Sequence, residues 1–460
     1  MGFLITRTIF ISAIFFVACG SADISAGRGP LLFAVHYTCP VQGIDAAAAE
    51  SLLAGVSEPV AKQIGAQLNI YVDKRIAGSL AAEYPKLSFT PCGQPPAEDK
   101  RALFICDINS IAPSMKLLTV GGCFPWGRLQ RDYFIDKDTE YPIMKQYAGR
   151  FNAGVHITVV QTGVTAMSRA FMSTVNAHGD LKRPIAGVRQ ITANADVSLT
   201  SNEVSFTDNC KSPLPNRMLF CSPKRYFSIL QDAGFNVIEL TGNHNNDYGA
   251  AYNKTTIDLY EKNNIKFFGG GRNKKEAEAV LYINVKGIRF AFVGFNQWGP
   301  SSAWATDSRA GAAKLSAAAY NKAVSEAAAN AEVVFVSVQW GNEDNPVPHK
   351  EQTQFFRRAA DMGACIMVSS SAHRAMGVEF YKGKFISYGL GNLFFDQMQT
   401  INHRRGMIAR HHFYGSRHIQ TELIPYLIYN YSEPKIVYGR DAGQLFDYVF
   451  KYSLGGVFGK

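Results

Sequence analysis

The chain has 460 residues, of which 47% are hydrophobic and 18% charged, with 40 Gly and 19 Pro; this is enough for two to four domains and excludes disordered, collagen-like and small disulfide-stapled classes. Lys and Arg number 47 against 37 Asp and Glu, a formal charge of +10, which favours anionic partners without naming one. At the start, Arg7 precedes an apolar run over residues 9–18, too short to cross a bilayer as a helix and suited to the central part of an export signal. The run ends at Val17-Ala18-Cys19-Gly20, similar to a bacterial lipobox, although Phe16 stands where Leu is usual. Residues 1–19 are therefore read as a signal, with acylated Cys19 as a membrane anchor or, alternatively, ordinary cleavage near Ala22 or Ala26.

Export to an oxidising compartment permits disulfides. Cys210 and Cys221 flank a short loop with Pro213 and Pro215 and are the expected pair; Cys39, Cys92, Cys106 and Cys123 would supply two more bridges. Cys365, inside the apolar run 364–368, reads as a core thiol. No CxxC spacing occurs, so a zinc ribbon or thioredoxin-like site has no support.

Residues 30–150 combine strand-like runs at 31–36, 68–72, 103–106 and 117–120 with an Ala-rich helical stretch at 46–64, the pattern of a small α/β module. Around Gly121-Gly122, Trp126 and Tyr141-Pro142, this module is faintly similar to half of a periplasmic solute-binding domain. From residue 155 the pattern becomes a succession of strand, loop and helix. Strands are expected at 155–160, 237–240, 265–268, 289–295, 333–338 and 365–370, and helices at 223–233, 251–262, 312–329 and 350–363. Several strands are apolar throughout, which predicts a buried sheet covered by helices.

The densest chemistry follows the strand at 237–240, in Thr241-Gly242-Asn243-His244-Asn245-Asn246-Asp247. Ligands of α/β sheets bind beyond the carboxyl ends of strands. An Asn carbonyl and an imidazole can ligate a metal, and the imidazole can serve as a general acid. The alternative is an Asx-rich turn whose polar groups cap a helix. Gly269-Gly270-Gly271-Arg272 is read as a strand-to-helix connection, with an anion-binding turn as the sharper alternative.

Gly-Asn-His followed by Asp is similar to the third signature of calcineurin-like metallophosphoesterases. The order of motifs resembles the CapA family of capsule and poly-γ-glutamate synthesis proteins. The match begins with Thr162-Gly163-Val164-Thr165-Ala166-Met167-Ser168-Arg169 and continues through Ser201-Asn202-Glu203-Val204, the Asn243-His244 loop, Gln339-Trp340-Gly341-Asn342-Glu343, Ser369-Ser370-Ser371-Ala372-His373 and Gly391-Asn392-Leu393-Phe394-Phe395-Asp396. The resemblance implies an α/β fold, a metallophosphoesterase-like αββα sandwich over 155–425. The smaller α/β module at 30–150 would precede it and a C-terminal extension at 426–460 would follow.

The departures are specific. Val164 stands where the commoner pattern has Asp, Gln339 where it has His, and Ser371 where it has the first His of His-Pro-His. These substitutions match a recurring Thr-Gly-Val-Thr-Ala branch of the family. Two complete metal shells cannot be built from what remains. The resemblance then implies Glu203, Asn243, Gln339 and His373 as ligands of at most one divalent ion, Mn²⁺ or Mg²⁺ before Zn²⁺. His244 and Asp247 would be catalytic, and Asn202, Glu343, Asn392, Arg404 and Arg405 would contact substrate.

Two functions follow as expectations for an extracytoplasmic protein. One is a metal-dependent hydrolase acting on a phosphoester or amide. The other is a non-catalytic assembly protein binding an anionic envelope polymer such as poly-γ-glutamate through the basic stretch His403–His418. That stretch also fits one solvated face of an antiparallel strand pair. Nucleic acid is not an expected partner, because the chain carries an export signal and no recognition motif.

Overall fold

The computed structural model describes residues 31–121, 123–124, 127–128, 151–210, 218–340 and 345–459. The expected signal with Cys19, and Gly122, Trp126, Tyr141, Pro142 and Glu343, lie outside the described residues. The N-terminal module is built on short apolar runs: β1 (Leu32–His36), β2 (Asn69–Asp73), β3 (Thr90–Cys92), β4 (Ala102–Cys106) and β5 (Met115–Leu117) form a sheet in the order β3-β2-β4-β1-β5. The single helix expected at 46–64 is two, α1 (Ala46–Leu53) and α2 (Glu58–Ile64). Gly55 breaks it with φ 92°, and any Cβ there would meet the Lys86 carbonyl oxygen at 2.6 Å. Pro59 then sits in the first turn of α2, where its missing N–H costs nothing. Helix α3 (Lys74–Glu83) follows β2 and is capped by Asp73. The expected extra bridges are corrected: Cys39, Cys92 and Cys106 are free, with Cys106 fully buried in the module core.

The module is docked on the rest of the chain. Its apolar core includes Tyr414 and Ile419, Tyr37 donates to the Thr421 carbonyl at 2.9 Å, and Arg417 donates to the Ile111 carbonyl at 2.8 Å.

From residue 156 the strand runs assemble two sheets. The first holds β6 (His156–Thr165), β7 (Val197–Asn202), β8 (Val237–Glu239) and β9 (Lys266–Phe268). The second holds β10 (Leu281–Val285), β11 (Ile288–Asn296), β12 (Val333–Gln339), β13 (Ile366–Ser370), β14 (Val378–Tyr381) and β15 (Lys384–Ser387). The chain then returns to the first sheet with β16 (Asn392–Phe394), β17 (Arg405–Tyr414), β18 (Arg417–Tyr429) and β19 (Glu433–Ile436). Sheet orders are β9-β8-β7-β6-β17-β18-β19, with β16 also beside β6, and β10-β11-β12-β13-β15-β14.

Side-chain alternation explains the layering. In β6, Val159 belongs to the core between the sheets while Val160 belongs to the core under the helices. In the second sheet Phe292 and Phe335 face inward, and Ala291, Val293, Val334 and Val336 face outward. Helices α4 (Arg169–His178), α5 (Phe227–Asp232) and α6 (Ala250–Lys262) cover the first sheet through Phe171, Leu230 and Tyr260. Helices α7 (Ala317–Asn330) and α8 (Lys350–Asp361) cover the second through Val324 and Phe356. The result is an αββα sandwich, so the strands read as helix-covered on both faces have a second sheet on one of them. Residues 426–460 contribute the end of β18, β19 and helix α9 (Gly439–Lys451), whose Leu445 and Val449 enter the core between the sheets.

One close approach fixes the end of β6. A Cβ on Gly163 would lie 1.9 Å from the Gly391 carbonyl oxygen, which accepts from the Val164 N–H at 2.9 Å. Gly163→Ala should therefore force two backbones apart and cost roughly 1–3 kcal/mol or more, read as a lower urea midpoint with an unchanged slope.

Candidate active site

The motif loops meet at the carboxyl ends of strands from both sheets. Each polar loop follows an apolar strand, so the strands are anchored by burial and the loops are left to carry chemistry. The isolated bridge between Val204 and His244 brings the loop after β7 against the loop after β8. Gly242 makes this contact tight, since a Cβ there would lie 2.2 Å from the Glu203 Cβ.

His244 is the centre of the group. Its Nδ1 lies 2.6 Å from Asp247 Oδ2, and the backbone N–H of Phe220 donates to the same carboxylate oxygen at 2.8 Å. Burial lowers the proton affinity of His244, but the Asp247 hydrogen bond and the charges of Glu203 and Asp247 outweigh it; the net shift is upward, with Arg169 opposing. Glu203 is 1% exposed, and its Oε1 is buried without a hydrogen-bond partner.

Beside His244, Asn243 Oδ1 accepts from Gln339 Nε2 at 2.7 Å, while Gln339 Oε1 accepts from Asn296. Gln339 thus occupies its place as a link in an amide chain. Glu203, Asn243, His244 and Gln339 form one connected group. His373 reaches it through rings: His373 packs on Phe395 at 5.0 Å, Phe395 on Phe220 at 6.2 Å, and Phe220 on His244 at 4.4 Å. Left-handed backbone at Ser371 (φ 85°) and His373 (φ 51°) turns this loop so that His373 Nδ1 meets Asn392 Oδ1 at 2.7 Å. Such conformations in non-glycine residues are held by surrounding structure and gather at functional sites.

The expected substrate contacts are redistributed. Asn202 and Asn392 are fully buried: Asn202 Nδ2 donates to the Val204 carbonyl and to Tyr260, and Asn392 Nδ2 donates to the His373 and His403 carbonyls. Both therefore position their neighbours. Arg404 donates to the Ile428 carbonyl at 3.1 Å and Arg405 to Gln444 of α9 at 2.7 Å. Arg410 pairs with Glu422 across β17 and β18, and His411, His412 and His418 are buried. The basic stretch is thus largely committed inside the fold, which corrects the reading of a solvated strand face. Arg272, in the Gly-rich turn, is bound by Asp258, Glu261 and Glu276, as a structural connection requires.

Several residues were given no role from sequence. Arg169 lies over the rings of Phe220 and Phe395 at 4.5 and 4.9 Å and pairs with Asp396, whose other oxygen accepts from the Ala170 N–H at 2.7 Å. Opposite charges closing the first and last motifs were the available signal. Glu239 is fully enclosed; burial pushes its carboxyl up, and hydroxyls of Thr241, Ser370, Ser337 and Ser201 oppose that. It joins the ends of β8 and β13.

The residues do not fit a two-metal centre. Where the commoner pattern has its first carboxylate, Val164 packs in an apolar cluster with Ala166, Val204, Phe220 and Phe395. Among the described residues no three His, Cys, Asp or Glu side chains gather as a metal group, so an ion would need amide oxygens as well. The orphaned oxygen of Glu203, on the loop that packs against Gly242 and His244, is the feature that fits a single hard cation.

Cys210 and Cys221 are bonded, as expected, across 11 positions. The bridge ends next to Phe220, which holds Asp247. Its reduction should cost about 2–3 kcal/mol and lower the proton affinity of His244, both readable by parallel urea titration and imidazole NMR.

Fold and site define a two-sheet αββα sandwich with an Asn-His loop at its strand ends. The model of the bacterial capsule synthesis protein family PGA_cap matches residues 158–397, just over half of the sequence, and the chain belongs to that family. It is 32% identical over 186 residues to the capsule biosynthesis protein CapA of Bacillus anthracis, covering 40% of this chain and 45% of that one. It is 30% identical over 189 residues to the PGA biosynthesis protein CapA of Bacillus subtilis (strain 168), covering 41% and 50%. The chain thus spans about half the length of these curated relatives. Among solved structures it is similar to a 5'-nucleotidase precursor from Thermus thermophilus, with 13% identity, TM-score 0.39, and coverage of 61% of this chain and 56% of that one. It is also similar to the NAD nucleotidase NadN of Haemophilus influenzae, with 10% identity, TM-score 0.31, and coverage of 64% and 55%.

Proposed function

We propose that this chain is an extracytoplasmic protein of capsule or poly-γ-glutamate synthesis that cleaves a phosphoester or amide bond of an anionic envelope polymer or its precursor. The observation that carries this reading is the His244–Asp247 pair beside the buried carboxylate of Glu203. Asp247 fixes Nδ1 of His244, so Nε2 is the position from which the imidazolium delivers a proton to the leaving oxygen or nitrogen. Glu203 and Asp247 raise the proton affinity of that imidazole. Glu203 and Asn243 would hold one Mn²⁺ or Mg²⁺, with Gln339 and His373 as further donors only after release from Asn296 and Asn392; such an ion would polarise the scissile phosphoryl or carbonyl group.

Export is supported by the apolar signal-like start and by the Cys210–Cys221 bond, which suits an oxidising compartment. No described helix is long and apolar enough to cross a membrane; the proposed anchor is acylated Cys19, on the strength of Val17-Ala18-Cys19-Gly20. The non-catalytic, polyanion-binding reading has less support, because Arg404, Arg405 and Arg410 are bound within the protein. The test is hydrolysis of bis-p-nitrophenyl phosphate and poly-γ-glutamate, with and without Mn²⁺, by wild type, His244→Ala and Glu203→Ala. Loss of turnover in both variants supports the proposal, and equal turnover in all three refutes it.

A further inference from the structure

A cavity lies away from the Asn243–His244 loop. A space of about 400 Å³ opens between the N-terminal module, the β18 strand and helix α9, a size suited to a small molecule, and sites at domain junctions are common. Its walls include Tyr37 and Lys116 of the module, Arg410 of β17, Gln420–Pro425 of β18, and Val437 with Phe446 and Phe450 at and within α9.

The charges on these walls are unequal. Glu422 is neutralised by Arg410 and further engaged by His412. Asp447 stands on the exposed side of α9. Lys116 is more buried than Asp447; its ammonium donates to the Cys39 carbonyl, and no ion-pair partner for it occurs among the described residues. Burial pushes this ammonium down to about 8. A cation in that position gains from an anion that replaces lost water. One ammonium suits a singly charged head, and the apolar wall of Leu423, Ile424, Val437, Phe446 and Phe450 suits a hydrocarbon body.

We propose that this junction cavity binds a small amphipathic carboxylate, with the carboxylate on Lys116 and the apolar body against Val437, Phe446 and Phe450. The site is separate from the proposed catalytic loop and does not depend on it.

Isothermal titration of the full chain with octanoate, against octan-1-ol as the uncharged control, tests this. Wild type should bind one octanoate, and Lys116→Gln should weaken it roughly tenfold or more while leaving octanol unchanged. Gly443 lines the cavity, and a Cβ there meets nothing within 4 Å, so Gly443→Trp should fill the space and abolish binding of both. The proposal is overturned if wild type shows no saturable octanoate binding, or if Gly443→Trp binds like wild type. It is equally overturned if folded Lys116→Gln binds octanoate undiminished; should Lys116→Gln fail to fold, Gly443→Trp alone decides.

Discussion

Between pH 7.5 and pH 5.5 the folded protein should lose about 3 kcal/mol of stability through His156 and His418 alone. Both are buried, and both are pushed down to about 3: His156 by burial and then by His412 and Lys286, His418 mainly by burial. A histidine whose folded value lies below its unfolded value of about 6.5 is neutral in the fold and protonated in the unfolded chain. Stability is therefore intact above pH 6.5 and falls as the pH drops through 6.5 toward 3, by about 1.4 kcal/mol per unit for each such group. His411 and His412 are also shifted downward, so they add in the same direction.

Glu422 is held at about 2 by Arg410 and His412 against burial, so it adds a further loss only below its ordinary value of 4.5. The stacked His156 and His412 rings, 5.3 Å apart, and the Phe124–His412 contact place this group where the module meets the sheet. Urea titrations at pH 7.5, 6.5 and 5.5 measure the slope. His418→Leu should flatten it by roughly 1.4 kcal/mol at pH 5.5, and a stability independent of pH over this range would refute the buried-neutral assignment.

The second large effect is on turnover. His244→Ala should lower it by about 10²–10⁴, because no other imidazole among the described residues is joined to Asp247 in the loop. Asp247→Asn keeps the shape but removes a charge that raises the proton affinity of His244. Its activity should therefore fall at a lower pH than that of wild type as the acid form is lost. A simple folding defect would lower activity evenly across pH and would appear in the urea midpoint.

Much of the site was legible because its loops have polar and glycine residues at the ends of apolar strands. The contact of Gly242 with Glu203 makes that pairing physical. The second sheet was not legible from strand hydrophobicity: Val159 and Val160 look alike in sequence, though one faces a sheet and the other helices. The stretch from Arg405 to His418 looked basic and solvated because charge was visible and burial was not. In the fold β17 and β18 are interior strands, their cations matched by Glu422 and by carbonyl groups. The Arg169–Asp396 and Phe220–Phe395 contacts join segments far apart in sequence, so no local periodicity encodes them.

The most direct test is the pH dependence of poly-γ-glutamate and phosphodiester cleavage by the full-length protein and its His244→Gln variant. The wild type should cleave at least one of them, with a rate that declines as the pH rises above the His244 value, and the variant should be about a hundredfold slower or worse. Equal rates for the two proteins, or no cleavage of either substrate by the wild type with Mn²⁺ or Mg²⁺ supplied, would contradict a catalytic role for the Asn243–His244 loop.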